Sequence, residues 1–379
     1  MRAALFRKYT MHAKKILTII GARPQFIKAS AVSASMAESG QLSEVVVHTG
    51  QHFDPNMSEV FFDELGMAKP AYYFDIHGCG HGEMTGRMLM EIEKVLLIER
   101  PAALLVYGDT NSTLAGALAA SKLHVPIAHV EAGLRSANMA MPEEVNRILT
   151  DHVARWLFTP TVAANRHLLR EGIDPDRIHL VGDVMFDVAL RHGARVDRCR
   201  GLLQKSGAAV NISAGRYCLV TVHRAENTDH PARLAVIVDA LIAFSRKIPV
   251  VWPLHPRTQQ VLARQGKLDT LMRAVTLLDP LGYLDMVHLE KHAALIATDS
   301  GGVQKEAFFY RVPCVTLRDE TEWCELVEAG WNRVVPPVHA GEVLQALHAS
   351  LGSTGKSIAP YGAGDAAARI VERLSSDLN

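Results

Sequence analysis

The sequence predicts an α/β protein built from two doubly wound, parallel-sheet domains. Short apolar runs alternate with amphipathic stretches along most of the chain, the pattern of parallel strands covered by helices. The alternation lapses once near the middle and then restarts. The 379 residues also exceed what one hydrophobic core usually serves.

The first strand is read over Lys15–Gly21, an apolar run closed by glycine. Pro24 then opens a helix carrying Phe26, Ile27 and Val32, because proline fits a first helical turn. Glu44–Thr49 is the next strand, and Met57–Leu65 has helical spacing up to Gly66. A long amphipathic helix over Thr85–Glu99 stops at Pro101. Strand Ala102–Tyr107, small-residue helix Thr113–Leu123, strand Pro126–Val130, helix Glu143–Ala154 and strands Trp156–Phe158 and Ile178–Val181 complete the first half. The segment Arg195–Arg216 reads as irregular and places the junction around Val184–Arg216, giving domains 1–185 and 186–363. The second half repeats the plan. Its strands are Tyr217–Val222, Pro249–Pro253, Val275–Leu278, Ala294–Thr298 and Pro313–Leu317, and its helices are Leu234–Ser245, Tyr283–His292 and Gly302–Tyr310. A last helix spans Asp365–Ser376. In such folds ligands bind at the carboxyl ends of strands, and the expected pocket is the cleft between the two domains.

Lys+Arg and Asp+Glu are both 40, so the chain lacks the basic excess that broad nucleic-acid binding requires. No apolar run is long enough to cross a membrane as a helix. The odd set Cys79, Cys199, Cys218, Cys314 and Cys324 holds no C-x-x-C pair, which argues against a disulfide framework and for a reducing cytoplasm. The basic stretch Met1–Lys14 lacks an apolar signal core and is read as an extension ahead of the first strand.

The chemistry-bearing residues fall just after strands. Gly21-Ala22-Arg23-Pro24-Gln25-Phe26-Ile27-Lys28 puts two cations, Arg23 and Lys28, at a helix start, where an anion is welcome; a plain strand-to-helix turn with solvated charges is the bland alternative. In Gly108-Asp109-Thr110, Asp109 is not needed as a helix cap, since Thr110 or Ser112 can supply one. Glu131, in His129-Val130-Glu131-Ala132-Gly133-Leu134-Arg135, ends an apolar strand, a costly place for a carboxylate unless it faces a cleft or a partner. Glu143 and Glu144 open a helix, where at least one can simply serve the helix dipole. Together Asp109, Glu131 and Glu143 are expected to converge, and mutual repulsion would then raise one pKa and create an acid/base pair.

The second half presents His223-Arg224, suited to a diphosphate, and His255 with Arg257 after the following strand. Thr298-Asp299-Ser300-Gly301-Gly302 opens a helix whose free N–H groups suit phosphate oxygens, and Glu306 lies one turn further, where it can accept from ribose hydroxyls. There is no G-x-G-x-x-G, Walker A or H-E-x-x-H motif, so a dinucleotide oxidoreductase, a P-loop NTPase and a zincin are poor readings. No metal site is expected.

In this order, G-x-R-P-x-x-x-K, T-G-Q-H (Thr49–His52), G-D-T, E-A-G-L-R, P-E-E-x-N-R, H-R-x-E-N and D-S-G-G-x-Q-x-E resemble the non-hydrolysing UDP-N-acetylglucosamine 2-epimerases from Lys15 to about Val335. The resemblance implies a GT-B-like fold of two Rossmann-type domains with an interdomain UDP cleft, and a C-terminal helix, 364–379, rejoining the first domain. It implies a cytoplasmic homodimer without cofactor, acting on a UDP-amino sugar in polysaccharide or O-antigen biosynthesis. It implies that UDP is eliminated as the C2 proton leaves, giving a 2-acetamidoglucal, and is re-added after C2 is protonated on the other face. Carried over by position, Arg23, Lys28, Asp109, Glu131, Glu143 and His223 are the catalytic residues. Arg135, Arg147, Arg224, Ser300, Gly301, Gly302 and Glu306 bind substrate or UDP.

Two departures stand out. Gln25 occupies the place of the usual Glu in G-T-R-P-E. Gln51, His52 and His255 match an effector site for a second UDP-sugar, but the Arg expected before the helix Thr85–Glu99 is absent from Ile76–His81. That segment and Met84-Thr85-Gly86-Arg87 look more like relatives acting on UDP-2,3-diacetamido-2,3-dideoxyglucuronic acid, the second expectation after UDP-N-acetylglucosamine. A retaining glycosyltransferase on the same fold and a non-catalytic UDP-sugar sensor remain alternatives. The first would show transfer to an acceptor without C2 exchange, the second binding without turnover.

Overall fold

The computed structural model describes residues 13–51, 62, 64–193 and 212–378. Most of the helix expected over Met57–Leu65, most of Arg195–Arg216, Cys199 and His52 lie outside these residues. The described chain divides into two compact units. One contains the residues through 51 together with Leu65–Val184 and the segment from Asp365 onward; the other contains Glu64 and the described part of Met185–Gly364.

The first unit runs β1 (Lys14–Ile20), α1 (Arg23–Ser39), β2 (Leu42–His48), β3 (Tyr72–Tyr73), α2 (His81–Glu99), β4 (Ala103–Tyr107), α3 (Asn111–Lys122), β5 (Ile127–Val130), α4 (Pro142–Val153), β6 (Trp156–Thr159), α5 (Val162–Arg170) and β7 (Ile178–Leu180). Its strands form one parallel sheet in the order β3-β2-β1-β4-β5-β6-β7. Strands β4, β5 and β6 are buried throughout, as their unbroken apolar runs require in a sheet covered on both faces. Among the residues that pack together on this sheet are Leu17, Ile19, Leu104 and Val106 with Met88, Ile92 and Val95 of α2.

α6 (Val184–Gly193) follows, where the sequence offered only a junction. The second unit continues with β8 (Cys218–Thr221), α7 (Ala225–Thr228), α8 (Pro231–Phe244), β9 (Val250–Pro253), α9 (Pro256–Arg264), α10 (Leu268–Ala274), β10 (Thr276–Leu278), α11 (Tyr283–Lys291), β11 (Leu295–Thr298), α12 (Gly301–Phe309), β12 (Cys314–Thr316), α13 (Cys324–Glu328), β13 (Asn332–Val334) and α14 (Ala340–Ser350). Its sheet is also parallel, ordered β10-β9-β8-β11-β12-β13. Cys218 and Val220 feed one core and Tyr217 and Leu219 the other, because successive strand residues point to opposite faces. The last helix, α15 (Ala366–Leu378), belongs to the first unit and packs on α1.

Each sheet reverses its direction of winding once, between β1 and β4 in the first unit and between β8 and β11 in the second. These are topological switch points, and the crevice beyond the carboxyl ends of the two strands is where such sheets bind ligands. Gly21 and Gly108 lie at the first, and Val222-His223 and Asp299 at the second.

Candidate functional site

In the first unit, β1 runs into α1 through Gly21-Ala22. A Cβ on Gly21 would fall 2.1 Å from Thr49 Oγ1 and 2.2 Å from Ser112 Oγ, so only glycine fits this approach. Gln25 holds the turn together. Its Oε1 accepts from the N–H groups of Gly21 (2.8 Å) and Ala22 (3.1 Å), while its Nε2 donates to Tyr107 O and Thr113 Oγ1, both at 2.9 Å. The amide thereby joins the end of β1 to the end of β4, and it needs both acceptor and donor ends to do so. Arg23 opens α1; its side chain lies outside what is described. Gln51 accepts from Ser112 N (3.2 Å) and Ser112 Oγ (2.8 Å) at the start of α3.

Thr110 is the N-cap of α3, accepting from Thr113 N, so Asp109 is indeed free of that duty. Its carboxylate pairs with Arg147, and Asn146 Nδ2 donates to its backbone carbonyl at 2.9 Å. Lys28, from the second turn of α1, is ion-paired with Glu131. A Cβ on Gly108 would lie 3.3 Å from both Glu131 Oε2 and Lys28 Nζ, which puts that pair beside the Asp109 turn. Glu131 has φ of 69°, the left-handed region that a non-glycine residue occupies only under constraint, and such strain concentrates at functional sites.

The electrostatics agree with convergence. Burial raises the Asp109 pKa, and Glu131 and Glu143 push it the same way, against Arg147 and Lys28. Asp109 therefore senses both glutamates. The two glutamates at the start of α4 divide their roles. Glu143 is exposed and acts on Asp109. Glu144 is buried and accepts from the N–H groups of Ser136 (3.1 Å) and Ala137 (2.9 Å) and from Arg147. Burial opposes its charge, but those hydrogen bonds and Arg147 prevail and lower its pKa.

Beneath this group lies a polar chain that is fully buried at His129 and Asp151. His129 Nδ1 meets Asp151 Oδ1 at 2.7 Å, and its Nε2 meets Gly108 O at 2.7 Å. Asp151 Oδ2 accepts from Gly133 N at 3.1 Å and Arg135 at 2.8 Å, and Arg135 makes a two-pronged contact with Glu171 at 2.7 and 2.8 Å. The Arg135 guanidinium is thus committed to holding its own loop.

In the second unit, Asp299 at the end of β11 has no solvent exposure. It accepts from the backbone N–H groups of His223 (3.1 Å) and Arg224 (3.0 Å) and from Asn227 Nδ2 (3.1 Å). This single carboxylate shapes the turn that presents His223, whose ring is exposed and stacks at a tilt on His255 with centroids 5.8 Å apart. His255 caps α9 by accepting from Arg257 N at 3.2 Å. Ser300 is the N-cap residue of α12 and makes no side-chain cap, so Gly301 and Gly302 begin the helix with uncapped N–H groups. Trp323 Nε1 donates to Gly301 O at 3.0 Å and fixes that end. Glu306 is buried beside Tyr283 and Tyr310, whose hydroxyls are pushed up by burial first and by the neighbouring carboxylates next. Among the described residues no His, Cys, Asp or Glu cluster could hold a metal ion, and no helix is long and apolar enough to cross a membrane.

Asp299, Asn146 and His129 stand inside sequence motifs without a role, Glu144 is read there only for the helix dipole, and Asp151 carries no sequence signal. Their signal was weak, since a buried strand histidine and mid-helix polar residues are common structural features.

Two Rossmann-like parallel units in one chain, each with its polar residues at the switch point, define the GT-B-like class of α/β proteins. The family described as UDP-N-acetylglucosamine 2-epimerase matches residues 34–375. This chain belongs to that non-hydrolysing 2-epimerase family. It is 56% identical to a UDP-2,3-diacetamido-2,3-dideoxy-D-glucuronate 2-epimerase of Pseudomonas aeruginosa, over 95% of this chain and 99% of that one. It is 41% identical to a UDP-N-acetylglucosamine 2-epimerase of Methanocaldococcus jannaschii, with the same coverage. The crystal structure of a Methanocaldococcus jannaschii enzyme in complex with UDP-GlcNAc and UDP superposes with a TM-score of 0.85 at 40% identity, covering 96% of this chain and 99% of that one.

Proposed function

We propose that the chain inverts C2 of a UDP-linked 2-acetamido sugar, with UDP-2,3-diacetamido-2,3-dideoxyglucuronic acid as its preferred substrate. The chemistry rests on one observation: Asp109 is buried near enough to Glu131 and Glu143 for both to disfavour its charge, with Lys28 and Arg147 opposing them. The C2 proton passes to one of these carboxylates while the C1–O bond to UDP breaks, leaving a 2-acetamidoglucal. Another returns a proton to the opposite face of C2 as the UDP oxygen re-forms the bond to C1. The raised Asp109 pKa suits a group that must both take and give a proton. His223, Arg224 and the start of α12 with Ser300, Gly301 and Gly302 would hold the diphosphate, and Glu306 the ribose. The substrate choice is supported by the 56% identity to the diacetamido-glucuronate enzyme. UDP-N-acetylglucosamine is the second reading, favoured by the matching family and by the complex described above.

Proton NMR in D2O with each UDP-sugar tests both. Deuterium should enter C2 and the 2-epimer should appear, faster with the diacetamido-glucuronate. Exchange only with UDP-N-acetylglucosamine would reverse the substrate order. Transfer to an added acceptor without C2 exchange would replace the epimerase with a glycosyltransferase.

A further inference from the structure

The proposed chemistry needs Asp109 and Glu131 at a fixed spacing, yet they sit on separate turns. The two turns hold three residues in the left-handed region: Gly108 (φ 61°), Glu131 (φ 69°) and Gly133 (φ 79°). The two glycines adopt that region freely, whereas Glu131 stays there only because its surroundings dictate it. A Cβ on Gly133 would fall 2.6 Å from Ala164 O, so that turn has no room to drift on one side. On the other side the determinant is His129.

His129 lies on β5 with no solvent exposure, opposite Val106 of β4. Its Nε2 faces Gly108 O, a carbonyl that can only accept. Its Nδ1 faces Asp151 Oδ1. The other oxygen of Asp151 already accepts from Gly133 N and from Arg135, whose permanent cation keeps the carboxyl ionised. Asp151 is therefore an ionised acceptor, and both ring nitrogens of His129 must donate. We infer that His129 is a positioning residue: a doubly protonated imidazole that ties the carbonyl preceding Asp109 to the carboxylate holding the turn after Glu131. It touches neither carboxylate's reacting oxygens and acts only through the backbone.

Helix α4 anchors this brace. Asn146 holds the Asp109 carbonyl, Arg147 holds the Asp109 carboxylate, and Asp151, one turn on, holds His129. Other titratable groups facing the network are Arg135, Glu171, His152, which lies 3.3 Å from Glu171, and Arg177, which donates to Asp151 O at 3.1 Å, while His167 Nδ1 contacts Gly133 O at 2.9 Å. The residues behind Asp109 and Glu131 thus form one continuous hydrogen-bonded unit rather than two separate turns.

The inference rests on the epimerase reading for its catalytic consequence, but not for its chemistry. It is tested on the full chain with histidine ring nitrogens labelled. In nitrogen–proton correlation spectra one histidine should show two slowly exchanging ring N–H protons, assigned by their disappearance in His129→Phe and retained in Asp109→Asn. A single ring proton on His129 would overturn the proposal. In kinetics, His129→Phe should lower kcat for C2 exchange by about a hundredfold with KM nearly unchanged, the signature of reacting groups misplaced by about 1 Å. Full kcat in that variant would reduce His129 to a space-filler and end the proposal. Should His129→Phe fail to fold, Asp151→Asn carries the test: it should lose the second ring proton and lower kcat without raising KM, and wild-type values for both would refute the brace. If the wild-type chain exchanges C2 on no UDP-sugar, the epimerase reading fails while the ring-proton spectrum still decides the histidine.

Discussion

Lys28 reaches from the second turn of α1 to pair with Glu131, a residue whose own backbone is held in the left-handed region. The cation is therefore aimed at a carboxylate that the fold has already forced into place. Lys28→Met should leave Glu131 facing Asp109 and Glu143 with one fewer counter-charge, so its proton affinity should rise. The acid limb of the kcat/KM profile should move to higher pH, and the rate at neutral pH should fall. An unmoved acid limb would separate Lys28 from the proton-transfer group.

Asp109→Asn keeps the side chain's shape and an acceptor for Arg147 but removes the acid/base function proposed for it. Deuterium incorporation at C2 should be abolished, a loss of at least about a hundredfold. UDP affinity by calorimetry should stay near wild type, because the residues proposed to hold the nucleotide lie in the other unit. Normal C2 exchange would remove Asp109 from the mechanism.

Asp299→Ala should act on the nucleotide side. It leaves the part-buried N–H groups of His223 and Arg224 without this acceptor, at a cost of up to about 1–3 kcal/mol where no other partner replaces it. The turn carrying His223 should loosen, and UDP should bind more weakly with little change in the intrinsic rate of proton exchange. UDP affinity equal to wild type would show that the turn needs no such anchor.

Glu44 on β2 gives a stability test away from the site. Burial raises its pKa, with a hydrogen bond from Thr18 opposing. The charged form is thus disfavoured by folding. Stability from this group is fully present below the unfolded carboxylate value, about 4.3, and is lost as pH rises through its raised folded value. Glu44→Gln should melt at a higher temperature than wild type at pH 7, and the gap should close in acid. A lower Tm at pH 7 would contradict the burial argument.

Much of the fold was legible because fully buried parallel strands write themselves as short apolar runs. Ala102–Tyr107 was read almost as β4 appears, and Gly302–Tyr310 almost as α12. What escaped notice had little pattern to give. β3 is two residues long, and β13, Asn332–Val334, is three with a charged residue at its centre. α2 begins a turn earlier than expected, at His81, because its N-cap is Gly80 and offers no side-chain signal. Helix α5 was missed although Thr161 caps it, accepting from Ala164 N, so that signal was present. At the site, residues after strands could be picked from sequence, since strand ends are where such sheets place ligands. The supporting set could not: His129, Asp151 and Asp299 matter through partners 21, 22 and 76 positions away, distances that only folding closes. Gln25 is similar. Its departure from the family pattern was visible, but not that its amide bridges two strand ends.

Helix α15 adds a consequence in time. It is made after the second unit yet serves the first: Ile370, Val371 and Leu374 are buried, Trp156 Nε1 donates to Asp377 at 2.6 Å, and Arg369 donates to Val181 O at 3.3 Å. During translation, the second unit has its whole sequence available before the first has received its closing piece. The half that emerges earliest must wait, with the docking strip on α1 uncovered, until α15 has followed the second unit out, and that strip is open to aggregation and proteolysis in the interval.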